Sequence, residues 1–353
     1  MTFALIAGLR RLDPDGRGRI KGLRLVAAYG IASTLGAMHD VTMSAHMSSA
    51  MLAVLAGNFA LWASVSEARD APRAACRDLA VLCAGAGLGA LAYILIMPLL
   101  APIARAGAEL TLVTGAFLVG YLKRYGVLGA GLGSQIYIGE LLAYSARLDH
   151  ASIPAVGIAV MIAMAAAILP RMLTGRAERS GSIAALSPAH VPDRWPLQPE
   201  TIMGVQAATA ALVVVALNDA FSLTESAWAI TACTYVVAGS ATGTVDRVRR
   251  RIVGTLIGVP LGLACLPLAV HAPIILWTTA ALAMILYAMA LPTRYDIACG
   301  AFAFTLIVTL AASGEHSVAL LAARAWETLL GGGLGLAAAL WILPLRGAAK
   351  PTT

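Results

Sequence analysis

Two ionisable residues stand three apart in an otherwise apolar stretch near 318–343: Arg324 and Glu327. An ionised side chain inside a bilayer costs at least ~2.5–3.5 kcal/mol on insertion scales, so such a pair asks for a reason. The spacing sets both on one helix face. At 1.5 Å per residue, Glu327 lies roughly 14–15 Å beyond Val318, close to a bilayer midplane. In a functional reading Glu327 carries a proton and Arg324 partners a carboxylate, the arginine being released when Glu327 is protonated. In a structural reading the two belong to an ion pair that pins helices together. Trp228 and Thr231 are also three apart and share a face. The indole could stack on an aromatic ring while the hydroxyl bonds a carboxylate; the alternative is an interfacial tryptophan beside a helix-packing threonine. Glu140, five residues after Gln135, is a further acid in an apolar run, either on a pathway or reaching the outer interface.

Other chemistries lack their residues. No Ser/His/Asp constellation, metal-ligand spacing or nucleotide motif is present, so we expect no catalytic residue, no metal site, no cofactor and no enzyme. Five of the six histidines (His39, His46, His150, His271 and His316) fall near one face without pairing. The five cysteines lie in or beside apolar runs without CxxC spacing and read as small buried hydrophobes. Glycine clusters such as Gly126 to Gly133 and Gly331 to Gly335 have no Lys-Ser/Thr after them and suit helix packing better than phosphate.

The elements that must hold these residues follow from composition. The 353 residues are 59% hydrophobic and 12% charged, with mean hydropathy +0.82, against roughly 25% charged in soluble domains. The apolar runs have helical length, so the expected fold is an all-α polytopic membrane protein of about twelve transmembrane helices. Spans are expected near 22–38, 43–64, 79–100, 107–122, 126–145, 153–172, 202–217, 226–240, 251–269, 273–291, 296–312 and 318–343. Met1 to Leu9 precedes the charged run Arg10 to Arg24, the reverse of a secretory signal.

The net charge of +7 is best read by position. With the N-terminus inside, every basic residue except Arg105, Arg147 and Arg324 falls on the cytoplasmic side, which predicts N- and C-termini in the cytoplasm and argues against nucleic-acid binding. The halves read as repeats. Gly22-Leu23-Arg24 matches Gly204-Val205-Gln206, Asp40 matches Asp219, and Arg77 matches Arg251. Arg124-Tyr125 matches Arg294-Tyr295, and Ile168-Leu169-Pro170 matches Ile342-Leu343-Pro344. Six spans per half make the repeats parallel. The expected organisation is a first six-helix repeat at 1–173, a Pro-rich cytoplasmic linker at 174–200, a second repeat at 201–346 and a tail at 347–353. Glu140 has no acidic counterpart near Leu310, a hint of function.

At Trp228-Ala229-Ile230-Thr231-Ala232, at Arg251-Ile252-Val253-Gly254-Thr255-Leu256-Ile257-Gly258, and at Arg324-x-x-Glu327 followed by Gly331, the second half resembles the fusaric acid resistance, or aromatic acid exporter, family. The first half resembles it only through the repeat. The resemblance implies an inner-membrane secondary transporter that exports aromatic or other weak organic acids on the proton gradient. Plant malate channels have a module of similar form, so a passive organic-anion channel is the alternative. The site residues expected on this basis are Arg324, Trp228 and Thr231 for substrate, with Glu327 and Glu140 for proton coupling. Expected partners are small organic anions and membrane lipids; a homo-oligomer or a periplasmic adaptor is left open. The stretch Asp246 to Gly262, with four arginines and then glycines every fourth residue, is expected to orient and pack one helix and to leave the chemistry to others.

Overall fold

A computed structural model describes residues 12–45, 47–69, 71–174, 198–312 and 317–345, with backbone only at 269 and 270. Among the described residues the chain is all helix with no strand, as an apolar sequence that must pair its own backbone groups requires. The helices are α1 (Arg17–Gly36), α2 (His39–Ala45), α3 (Ser49–Ser66), α4 (Pro72–Leu100), α5 (Leu110–Tyr121), α6 (Gly126–Ser145) and α7 (Ile153–Thr174). After residues 175–197, which hold most of the expected linker and lie outside the described residues, come α8 (Pro199–Phe221), α9 (Ser226–Val236), α10 (Ala241–Ala264), α11 (Leu266–His271), α12 (Pro273–Ala290), α13 (Tyr295–Ala312) and α14 (Val318–Trp341).

Each expected span overlaps a helix, but 43–64 straddles α2 and α3, 251–269 straddles α10 and α11, and the helices differ in reach. Among the described residues six are long and apolar enough to cross a membrane: α3, α4, α7 with its leading turn, α8, α12 and α13. The others are shorter or more polar. α5 has 12 residues and α9 has 11. At 1.5 Å per residue neither covers a ~30 Å hydrocarbon core alone. The expected span 226–240 therefore ends early, at Val236, where Val237 turns extended. The expected start of the next span at 251 moves ten residues forward. Ser240 caps α10 through the Gly243 N–H, so the arginine run is helical and not a loop.

Small residues set the packing. α10 lies on α13, α4 on α6, and α9 on α14. A Cβ at Gly258 would strike the Gly300 backbone, and one at Gly331 the Ala229 carbonyl. Alanines fill much of the core of the first half, around Leu52, Phe59, Leu79 and Leu82. Among the described residues the two most extensive contacts between the halves are those of α5 on α8 and of α12 on α1, and α9 also touches α5 and α6. The first seam buries Leu112, Ala116 and Tyr137 with Ala211, Val214 and Ile230; the second buries Leu25 and Leu61 with Met284 and Ala288.

Candidate functional site

The short helix α9 is buried almost all round, and its N-terminus is where buried acids converge. The Glu225 backbone N–H donates to Glu327 Oε1 at 2.6 Å. The Ser226 hydroxyl, the Asn218 amide and the Tyr144 hydroxyl all donate to Glu109 Oε1. Glu327 and Glu109 are 2% and 3% exposed. A helix N-terminus presents unpaired N–H groups and a partial positive charge, which is why carboxylates settle there.

Arg324, on α14, pairs with the Glu225 carboxylate at 3.1 Å. Its guanidinium carbon lies 4.3 Å from the centroid of the Trp228 ring, a cation–π contact. Arg324 and Glu327 thus meet through a third residue, Glu225, which sequence spacing did not single out. One face of the Trp228 indole is already taken by Arg324. Thr231 donates to the Ala227 carbonyl and shares a 2.8 Å hydrogen bond with the Tyr137 hydroxyl of α6. It reaches across the two halves as part of a hydroxyl relay.

Glu140 is placed differently. Its carboxylate accepts from the Thr114 hydroxyl at 2.9 Å and from the Gly115 N–H at 3.1 Å, both on α5. The missing side chain of Gly115 makes room for it, since a Cβ there would collide with Oε2. The carboxylate is 26 residues from Thr114 along the chain and ties α6 to α5 inside the protein, where it is 2% exposed.

Between the halves lies a cavity of about 620 Å³, walled by α3 and α6 from one and by α9, α10, α12, α13 and α14 from the other. Of the expected residues, Trp228, Thr231 and Arg324 line it; Glu327 and Glu140 do not. Three groups that sequence reading passed over also line it. The first is an aromatic box: Trp62 meets Phe302 edge-on at 5.5 Å and Tyr287 at 6.3 Å. The second is Tyr235, whose hydroxyl bonds the Ser134 hydroxyl of α6 at 2.6 Å. The third is the stretch expected only to orient and pack a helix. Arg247, Arg250, Arg251 and Thr255 all face the cavity, with Tyr295 opposite. The arginine-to-glycine motif was visible, but its angular position on α10 was not. The helix puts Gly254 and Gly258 against α13 while Arg251 and Thr255 turn inward. Such a cavity is of the size that holds small organic molecules. Its apolar walls with a few cationic and hydroxyl groups suit an amphipathic anion.

The first half holds a separate ionic knot. Arg24 and Arg171 both approach Glu67, at 3.0 and 3.7 Å, and Lys21 donates to the Val65 and Glu67 carbonyls. These residues fasten the ends of α1, α3 and α7 together. The charged residues of this knot do not line the cavity, though Val65 does.

Residues 209–338 match the family model described as fusaric acid resistance protein-like. The second half of this membrane protein is therefore similar to that family, over the same helices that hold the three motifs read from the sequence. No curated protein and no solved structure matches the chain.

Proposed function

We propose that the protein, whose second half is similar to the fusaric acid resistance protein-like family, is an inner-membrane secondary transporter that exports aromatic or other weak organic acids, driven by protons. The observation that carries this reading is the cavity on the seam between the halves, with Trp228, Thr231 and Arg324 on its wall. A site shared by two halves can be opened to one side and then the other as they rock, whereas a site within one half cannot. Enzyme chemistry has no support in the residues of the cavity.

The internal repeat belongs to this proposal. The third and fifth helices pair in each half, α4 with α6 and α10 with α13. The fourth helix of each half packs on the first of the other, α5 on α8 and α12 on α1. That reciprocity is what two parallel repeats about an axis normal to the membrane produce. It supports twelve membrane-embedded helices with both termini in the cytoplasm, two of them, α5 and α9, short.

Protons enter through Glu327. Its carboxylate holds the Glu225 N–H, and the Glu225 side chain holds Arg324. Neutralising Glu327 weakens its hold on the α9 N-terminus, and so shifts Glu225, Arg324 and the cavity wall together. Glu140, tied to α5, is the second proposed protonation site. The test is export of benzoate from proteoliposomes under an imposed proton gradient. Glu327→Gln should abolish gradient-driven export while leaving the melting profile intact. Full export by that variant would remove the role given to Glu327. Benzoate movement that ignores the proton gradient and follows only its own would favour the channel.

A further inference from the structure

We infer that Arg251 holds the carboxylate of the substrate, with the substrate's ring in the box of Trp62, Tyr287 and Phe302, so that the cavity takes aromatic monocarboxylates in one orientation. This rests on reading the cavity as the transport site and assigns its anion-binding group to a residue other than Arg324.

The charges at the two ends of the cavity are not equivalent. At the α9 end, Arg324 is already met by Glu225 at 3.1 Å. At the α10 end, Arg250 is met by Asp246 at 2.9 Å, and Arg247 reaches the Val237 carbonyl. Arg251 forms no ion pair among the described residues, and its Nε is buried with no hydrogen-bond partner. The groups around it are Tyr295, Cys299 and Tyr235, all uncharged in their ordinary state. A guanidinium cannot shed its proton to escape such a place. Burying a charge without a counter-charge is unfavourable, and an incoming anion relieves it. Arg247 has no acid beside it either but is exposed to solvent, so Arg251 is the half-buried cation of the cavity with a place for a carboxylate beside it.

The rest of the molecule to be bound is set by the neighbouring walls. Tyr287, which interacts with Arg251 and Tyr295, is also a wall of the aromatic box with Phe302 at 6.3 Å. The three rings touch one another, so a flat ring would lie against the surface that this cluster turns to the cavity. One carboxylate at Arg251 and one ring in the box satisfy the cavity. A second carboxylate para to the first, as in terephthalate, would be pressed against aromatic faces.

The test uses the purified full-length protein in lipid nanodiscs, titrated calorimetrically with benzoate and with its neutral isostere benzamide. The wild type should prefer benzoate by about tenfold or more, the range of a charge-assisted pair. Arg251→Gln should erase that preference, and terephthalate, whose second carboxylate lies at the far end of the ring, should bind more weakly than benzoate. The inference is overturned if the wild type shows no preference, if Arg251→Gln keeps it, or if terephthalate binds as tightly as benzoate. Should Arg251→Gln fail to fold, alkylation of Cys299 in the wild type replaces it. Benzoate should slow that reaction and benzamide should not, and equal rates with both would overturn the assignment. The transport reading fails separately. Benzoate binding that depends on Arg251 without flux would sink transport and leave the subsite, while full benzoate export by Arg251→Gln would do the reverse.

Discussion

Glu225 links the two groups that sequence spacing had paired directly. Its backbone binds Glu327 and its carboxylate neutralises Arg324. Removing only the carboxylate charge separates these jobs, because the backbone N–H remains. In Glu225→Gln, Arg324 should gain room for an anion, so calorimetric titration with benzoate should show a second, weaker site; unchanged stoichiometry would mean Arg324 stays neutralised by another route. Lys123, in the turn between α5 and α6, makes a different prediction at the same scale. Burial holds its pKa down from the ordinary 10.5 to about 8; Arg247 presses the same way and Glu200 opposes. Between those values the unfolded chain binds more protons than the folded one, so stability rises as pH climbs through that window. At neutral pH the charged lysine works against the fold. Lys123→Met should melt higher than wild type at pH 7, and its melting temperature should rise less between pH 8 and 10. Parallel pH profiles would count against this account.

At the scale of elements, glycine decides which faces meet. Gly258 of α10 lies where a Cβ would strike the Gly300 backbone, which cannot rotate away as a side chain can. Gly258→Ala should therefore destabilise the protein by ~1–3 kcal/mol, the usual range for forcing extra atoms into a packed core. It should also lower activity, since the same helix carries Arg251. Gly333→Ala is the control, with open space at that position; it should be neutral or slightly stabilising because alanine is the better helix former. Similar melting of both variants would show that close approach is not what these glycines provide. The short helix α9 is the other decisive element. Ending at Val236, it places its N-terminus among Glu109, Glu225 and Glu327, a place a full-length span would not leave inside the protein.

At the scale of the whole molecule the open question is topological, and it has a direct readout. In a variant with the five native cysteines replaced by alanine, single cysteines at Arg73, Arg105, Arg124 and His150 would be labelled with a membrane-impermeant maleimide in intact cells. Twelve embedded helices predict that positions 105 and 150 label from outside and that 73 and 124 label only after lysis. If the short α5 fails to cross, 105 and 124 would label from the same side.

The sequence by itself determined what the solvent dictates. Apolar runs too long for strands and too poor in charge for water must become helices in a membrane, but charge and proline did not always mark their ends, since α10 carries its arginine run and Pro260 inside the helix. The family motifs at Trp228, Arg251 and Arg324 were legible as polar residues that a bilayer admits only with cause. The lengths of α5 and α9 were not legible, because a helix ends where its backbone finds other partners, such as Thr244 for Ala238. Nor was the partner of Arg324, since Glu225 sits in a loop whose position depends on α9 and α14 packing together. The tertiary structure alone decided that Arg251 turns into the cavity while its neighbouring glycines turn away. A three-residue step rotates a side chain by about 300° around the helix, and only the packing of α10 on α13 fixes where that rotation starts.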